Sequence, residues 1–174
     1  MERRARRDGP TGTPSRQPLF LLLLGLLVGG CLDEPQIEDR WTRVRVETGI
    51  SPFLEKGKVL DLPVAHKEGR FVVRDPAMLA LLERNGQVAL RYLEAERDEP
   101  ARGYPANPSG SSAAIAGIVN ASGNVLGLMP HPERHLRALN HPSWTRKAAV
   151  GGLPADEERA GDGYPLFARA VAHV

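Results

Sequence analysis

The stretch Ile115-Ala-Gly-Ile-Val-Asn-Ala-Ser-Gly-Asn-Val-Leu-Gly-Leu-Met-Pro-His-Pro-Glu-Arg134 decides how the rest of the chain is read. Two apolar runs, 115–119 and 125–129, flank the polar turn Asn120-Ala-Ser-Gly-Asn124. β-Formers on both sides, with Gly and Asn between them to supply positive φ, predict a hairpin. Its second strand delivers His131 and Glu133 at its end. Pro132 lacks an N–H and fixes φ, which argues against a helix through the tripeptide. In an extended chain, residues two apart project to the same side. A histidine and a carboxylate are therefore expected side by side at a strand end, where α/β proteins tend to place their chemistry.

Upstream, Arg43-Val-Arg-Val-Glu47 alternates apolar and polar and predicts a half-buried strand. Lys58-Val-Leu-Asp-Leu-Pro-Val64 predicts a second, which Pro63 confines to a sheet edge or a strand end. Ala65–Gly69 reads as a loop, and Arg70–Arg74 resumes an extended run through Phe71, Val72 and Val73. Asp75-Pro76 is a helix start, an N-cap followed by proline at the first helical position. Met78, Leu79, Leu81 and Leu82 form the expected buried face, and Asn85-Gly86 is the stop. Gln87–Leu93 predicts another strand. Residues 94–112 are rich in Glu, Pro, Gly, Asn and Ser and predict a surface loop, with a turn at Asn107-Pro-Ser-Gly110. Beyond the hairpin, 135–162 reads as irregular, with His141-Pro-Ser-Trp144 as its apolar anchor. A short helix near Tyr164–Ala172 places Leu166, Phe167, Ala170 and Val171 on one face. Strands outnumber helices, and no internal repeat is present.

The chain of 174 residues has room for one ordinary domain with a tail. Its net charge of +2 comes with basic residues crowded at the N-terminus, so it is no nucleic-acid footprint. Aromatics at 5% are too few for base-stacking platforms. One cysteine, Cys31, excludes an intramolecular disulfide and any multi-cysteine metal site.

Residues 1–18 are Arg-rich with almost nothing to bury and read as a disordered basic leader. The segment 19–39 opens on Leu19-Phe-Leu-Leu-Leu-Leu-Gly-Leu-Leu-Val-Gly-Gly-Cys31. A basic region, an apolar run and small residues before a cysteine have the layout of a secretory signal. Val28-Gly-Gly-Cys31 resembles a bacterial lipoprotein box, in which Cys31 would be lipidated and anchor an exported binding protein at the cell envelope. The run is shorter than the roughly twenty residues of a membrane span. The other readings are an apolar helix of the domain, or an arbitrary stretch produced by a misplaced start.

Three constellations carry chemistry. His131-Pro-Glu133 is the base-plus-orienter half of a nucleophilic triad: the imidazole takes the nucleophile's proton, and the carboxylate fixes its tautomer. The same spacing also serves as a surface ion pair. His131 and His135 are four apart, the spacing of two metal ligands on one helical face, with His141 folding back as a third. His66 and Glu68 form another His-x-Glu, read as a solvated pair in a Gly-ended loop.

Leu62-Pro-Val-Ala-His-Lys-Glu-Gly-Arg-Phe71, Tyr104…Asn107-Pro-Ser-Gly-Ser111, Ile115-Ala-Gly-Ile-Val-Asn120 and Gly123–Arg134 follow one another in order. Together they resemble the glutaminase subunits of phosphoribosylformylglycinamidine synthases, members of the class I glutamine amidotransferases. The resemblance runs from Arg40 to the end, includes Tyr164-Pro-Leu-Phe167, and departs at Lys67, a place often held by Gly. It implies an α/β fold, here the C-terminal part of a flavodoxin-like amidotransferase domain over 40–174. It implies a Cys-His-Glu triad in which His131 is the histidine and Glu133 the orienting carboxylate. The thiolate attacks the glutamine amide, a thioester forms, and water releases glutamate. Ammonia then passes to a large synthetase subunit, assembled with a small accessory subunit. ATP and magnesium are expected there, and no cofactor in this chain. The resemblance implies a cytoplasmic protein that needs neither nucleic acid nor membrane.

The family's cysteine sits in Gly-x-Cys-x-Gly, on a tight turn between a strand and a helix. At Cys31, Asp33 replaces the second glycine and Pro35 interrupts any following helix. Gly25-Leu-Leu-Val-Gly29 aligns better with a segment that the family places after its nucleophile. The expectation is therefore a domain without its first half, strand-rich, marginally stable and without glutaminase activity.

Overall fold

Thr42, Val44 and Val46 alternate with Arg43 and Arg45, and this period of two builds β1, Glu38–Val46. The first three side chains are buried and the arginines half-buried. Ahead of them Arg40 is fastened on both sides, to Glu38 at 2.7 Å and to the Tyr104 hydroxyl at 2.6 Å. The computed structural model describes residues 37–67, 69–150 and 159–173. The readings placed on the leader, the leucine run, Cys31 and Glu68 lie outside these residues.

Antiparallel to β1 runs β2, Val59–His66, with Thr42 opposite Leu62. Thr42 Oγ1 donates to the Leu62 carbonyl at 2.9 Å, so the buried hydroxyl is satisfied. With β3, Val88–Tyr92, β4, Ile115–Val119, and β5, Leu126–Leu128, the sheet has the order β2-β1-β3-β4-β5. Every neighbouring pair is antiparallel. Pro63 lies on an edge strand, as its missing N–H requires. β3 and β4, in the middle, are buried on both faces except for one half-buried residue each, which is why both read as nearly continuous apolar runs. Tyr92 fills the core, its hydroxyl has no partner among the described residues, and burial pushes its phenol pKa up. Three helices complete an α/β unit: α1, Pro76–Arg84, α2, Trp144–Val150, and α3, Tyr164–His173. Parallel strands of a flavodoxin-like domain are not among the described ones.

The hairpin forms as its turn chemistry dictates. Asn120 Oδ1 accepts from the Val125 N–H at 3.1 Å, and Asn120 Nδ2 donates to Ser122 and Asn124, both at 2.8 Å. Gly123 takes φ of 76°, and a side chain there would meet the Ile50 carbonyl at 2.1 Å. Past β5 the chain makes a decisive move. The Met129 N–H still donates to Ala116 on β4 at 2.9 Å, yet the His131 N–H donates to Pro63 on β2 at 2.7 Å. Two residues span at most about 7 Å. The sheet is therefore curled until its two ends nearly meet, and His131 is the residue that bridges them.

Several expectations are corrected. Asp75 caps α1, its Oδ1 accepting from the Met78 N–H at 2.8 Å, but no residue of the helix is buried and Leu81 is 38% exposed. Caps and period are local and were legible; what covers the face is not local. In α3 Leu166 is buried, whereas Phe167 and Val171 stand exposed. Arg70–Arg74 is no strand. It is pinned instead by Ser111 and Ser112, whose hydroxyls accept from the Phe71 and Val73 N–H groups at 3.1 and 3.3 Å. Within 135–162 a helix, α2, forms, and of the expected anchor His141-Pro-Ser-Trp144 the buried member is His141.

Candidate active site

His131 and Glu133 do come together, by a route other than alternation. Pro132–Arg134 forms one turn of 3₁₀ helix, with the His135 N–H donating to the Pro132 carbonyl at 3.0 Å. Proline is disfavoured inside a helix but suits its first position, where the N–H has no partner to lose and φ is already right. The turn folds Glu133 back so that its Oε1 lies 2.7 Å from His131 Nδ1. The Glu133 side chain is 54% exposed and that of His131 36%. With Nδ1–H donating to the carboxylate, Nε2 is left as the free base.

The turn rests on the outer edge of β2. The Pro63 carbonyl takes the His131 N–H, and the Asp61 carbonyl takes His135 Nδ1 at 2.7 Å. The Asp61 N–H donates to Asp162 Oδ2 at 2.8 Å, while Pro63 has no N–H to satisfy. On the other side of the turn Gly161 and Gly163 press close. A Cβ at Gly163 would stand 1.9 Å from the Pro132 carbonyl oxygen, and one at Gly161 2.4 Å from that of His135. Glycine is needed there for proximity alone.

His135 is turned away from His131. Its ring lies edge-on to Trp41 at 4.9 Å between centroids, and His141 lies tilted on the same indole at 4.2 Å. His141 Nδ1 accepts from the Ser143 N–H at 3.0 Å. Burial, then the nearby Lys147 ammonium, lowers the His141 pKa. The metal reading of His131, His135 and His141 is thereby corrected: His131 Nδ1 is taken by Glu133, His135 Nδ1 by the Asp61 carbonyl and His141 Nδ1 by the Ser143 N–H. Among the described residues no group of three or more His, Cys, Asp or Glu side chains could hold a metal ion.

His66 is half-buried and faces the loop that carries Ser109. Its Nε2 lies 3.1 Å from Ser109 Oγ, and burial lowers its pKa, with the Glu38 carboxylate opposing. Gly69 wedges the loop against the strand exit, where a Cβ would meet Met129 Cε at 2.0 Å and the His66 ring at 2.7 Å. Asn107 holds the facing loop by exchanging two side-chain bonds with the Ser111 backbone, at 2.9 and 3.0 Å. Asp162 and Trp41 were missed from sequence as members of this region, while His135 and His141 were weighed there only as metal ligands. The available signal was Gly161-Asp-Gly163, an acidic residue between two glycines that cannot carry side chains.

This geometry stands inside a recognisable segment. Residues 33–174 match the CobB/CobQ-like glutamine amidotransferase domain. The chain belongs to that amidotransferase family. Similar curated proteins are phosphoribosylformylglycinamidine synthase subunits PurQ. That of Methanosarcina mazei is 52% identical over 104 residues, covering 58% of this chain and 43% of the relative. That of Synechococcus elongatus is 45% identical over 125 residues, covering 69% and 51%. The chain thus spans about half the length of the curated relatives it matches. The structure of PurLQS from Thermotoga maritima aligns at a TM-score of 0.51 and 29% identity, over 81% of this chain and 50% of that one. The amidotransferase resemblance drawn from the motifs is borne out.

Proposed function

We propose that this chain is the His-Glu portion of a glutamine amidotransferase subunit serving phosphoribosylformylglycinamidine synthase in purine biosynthesis. The observation that carries the reading is the 2.7 Å pair of His131 Nδ1 and Glu133 Oε1, seated at the closure of the sheet. Glu133 holds the proton on Nδ1, so Nε2 can accept the proton of a thiol and later protonate the leaving ammonia. The carboxylate stabilises the imidazolium that forms between these steps. In this reading a thiolate attacks the glutamine side-chain amide, and water resolves the thioester to glutamate. Ammonia passes to a large synthetase subunit, which with a small accessory subunit completes the assembly and carries ATP and magnesium. The names of the PurQ relatives and the PurLQS neighbour support that assignment, and with purine synthesis goes a cytoplasmic setting.

The nucleophile is the weak point of the triad. Cys31 is the chain's one cysteine, and its sequence neighbours Asp33 and Pro35 depart from the Gly-x-Cys-x-Gly pattern of the family's nucleophile. The chain by itself is therefore expected to release no glutamate. The test is a glutaminase assay on the purified 174-residue chain, alone and with a large synthetase subunit. Background rates in both agree with the reading. Glutamate release that Cys31→Ala abolishes would make Cys31 the nucleophile and overturn it.

A further inference from the structure

The turn that carries Glu133 is strung between two points on one strand edge. At its start the His131 N–H bonds the Pro63 carbonyl, a backbone contact that any residue could make. At its end the anchor is a side chain, His135 Nδ1 on the Asp61 carbonyl at 2.7 Å. Asp61 and Pro63 are alternate residues of an edge strand, so both carbonyls point outward from the sheet. Between the anchors, the Glu133 side chain is more than half exposed, so packing alone does not hold it. Its place beside His131 depends on the turn beneath it.

His135 itself has little freedom. It is 5% exposed, edge-on to Trp41, with Gly161 against its ring. A carbonyl only accepts, so the bond to Asp61 requires the proton on Nδ1 of His135. We propose that His135 is a positioning residue for the His131–Glu133 pair: by donating to the Asp61 carbonyl it fixes the far end of the turn and so holds Glu133 against His131. The proposal rests on the reading of His131 and Glu133 as base and orienter. Neither the motif nor spacing assigns His135 any such part.

The experiment reads the tautomer of His131 in the full chain by ¹⁵N imidazole spectra at about pH 8.5, above the ordinary histidine range. Five histidines make the spectrum sparse, and His131→Gln identifies the signal. In the unaltered chain His131 is expected as the Nδ1–H tautomer, with Nε2 at the unprotonated position. In His135→Phe, which keeps the ring against Trp41 but cannot donate, both His131 nitrogens should move to averaged positions. In His135→Asn, whose amide nitrogen can stand where Nδ1 stood, the original tautomer should return. A loss of packing alone would lower the melting temperature without this pattern of loss and rescue. An unmoved His131 signal in folded His135→Phe overturns the proposal. If that variant does not fold, an averaged His131 signal in His135→Asn overturns it. Averaged nitrogens in the unaltered chain would instead sink the underlying His131–Glu133 reading, so the two failures are distinguishable.

Discussion

Along the β2 edge, the outward groups of Asp61 and the Pro63 carbonyl all have partners, and Trp41, His135 and His141 stack over the strand. Around β5, an open groove of about 320 Å³ runs past Phe71, Gly117, Leu128 and Met129, and α1, which follows Phe71 in the chain, buries no residue. The two ends of one sheet thus differ in how much of their surface is already spoken for. His131 lies where they meet. Its backbone takes its seat from the closed end, while the strand that delivers it comes from the open one. The lesson is that a site can be well held on one flank while its other flank offers apolar surface to whatever lies against it.

The largest test of that contrast uses one substitution at two places. Leu62→Ala, at a position with no exposure, is expected to cost about 2–5 kcal/mol of unfolding free energy. Leu81→Ala, on the open face of α1, should stay within roughly 0.5 kcal/mol of the unaltered chain. Urea unfolding of both variants measures this, and equal losses would erase the difference between the packed strand and the open helix.

Glycines give a second comparison of somewhat smaller size. Gly163→Ala drives a methyl into the Pro132 carbonyl and should destabilise by about 3 kcal/mol. Gly127→Ala, in β5, meets nothing within 4 Å and should gain about 0.4–1 kcal/mol through the unfolded state. A tolerated Gly163→Ala would mean that the turn under Glu133 is looser than drawn.

Acid supplies the smallest effect, and it belongs to the closed end. Burial lowers the pKa of both His66 and His141, so the unfolded chain binds protons that the folded chain refuses. Their contribution is fully present above the unfolded value of about 6.5. It is lost as pH falls below that value towards the lowered folded ones. The melting temperature should fall between about pH 7 and pH 5, and His141→Phe should flatten the fall. A melting temperature independent of pH in that window would contradict the burial of both rings.

Much of this molecule was readable because the physics involved is local. Asn120 and Gly123 specify their turn, Asp75 and Pro76 their helix start, and Pro63 its edge, each through groups a few residues away. The pairing of His131 with Glu133 was also expected, although the geometry was not. An extended tripeptide and a 3₁₀ turn bring residues two apart together equally well, and only the hydrogen bonds to β2 choose between them. The covering of helices, the burial of His141 and the bond from His135 to Asp61 were not readable. They depend on partners that sequence spacing does not indicate, Trp41 and Asp61 above all.

The curl has a consequence for the order in which the molecule assembles. His135 reaches a partner 74 positions away in the chain, and Asp162 one 101 positions away. Contacts of such long separation close late, after the entropy of the intervening loop has been surrendered. The β1–β2 pair and the hairpin can form while His131 still swings free. By this separation the seat of His131 is expected to form last, and a chain that has made all its strands but not joined its two sheet ends has no seated imidazole.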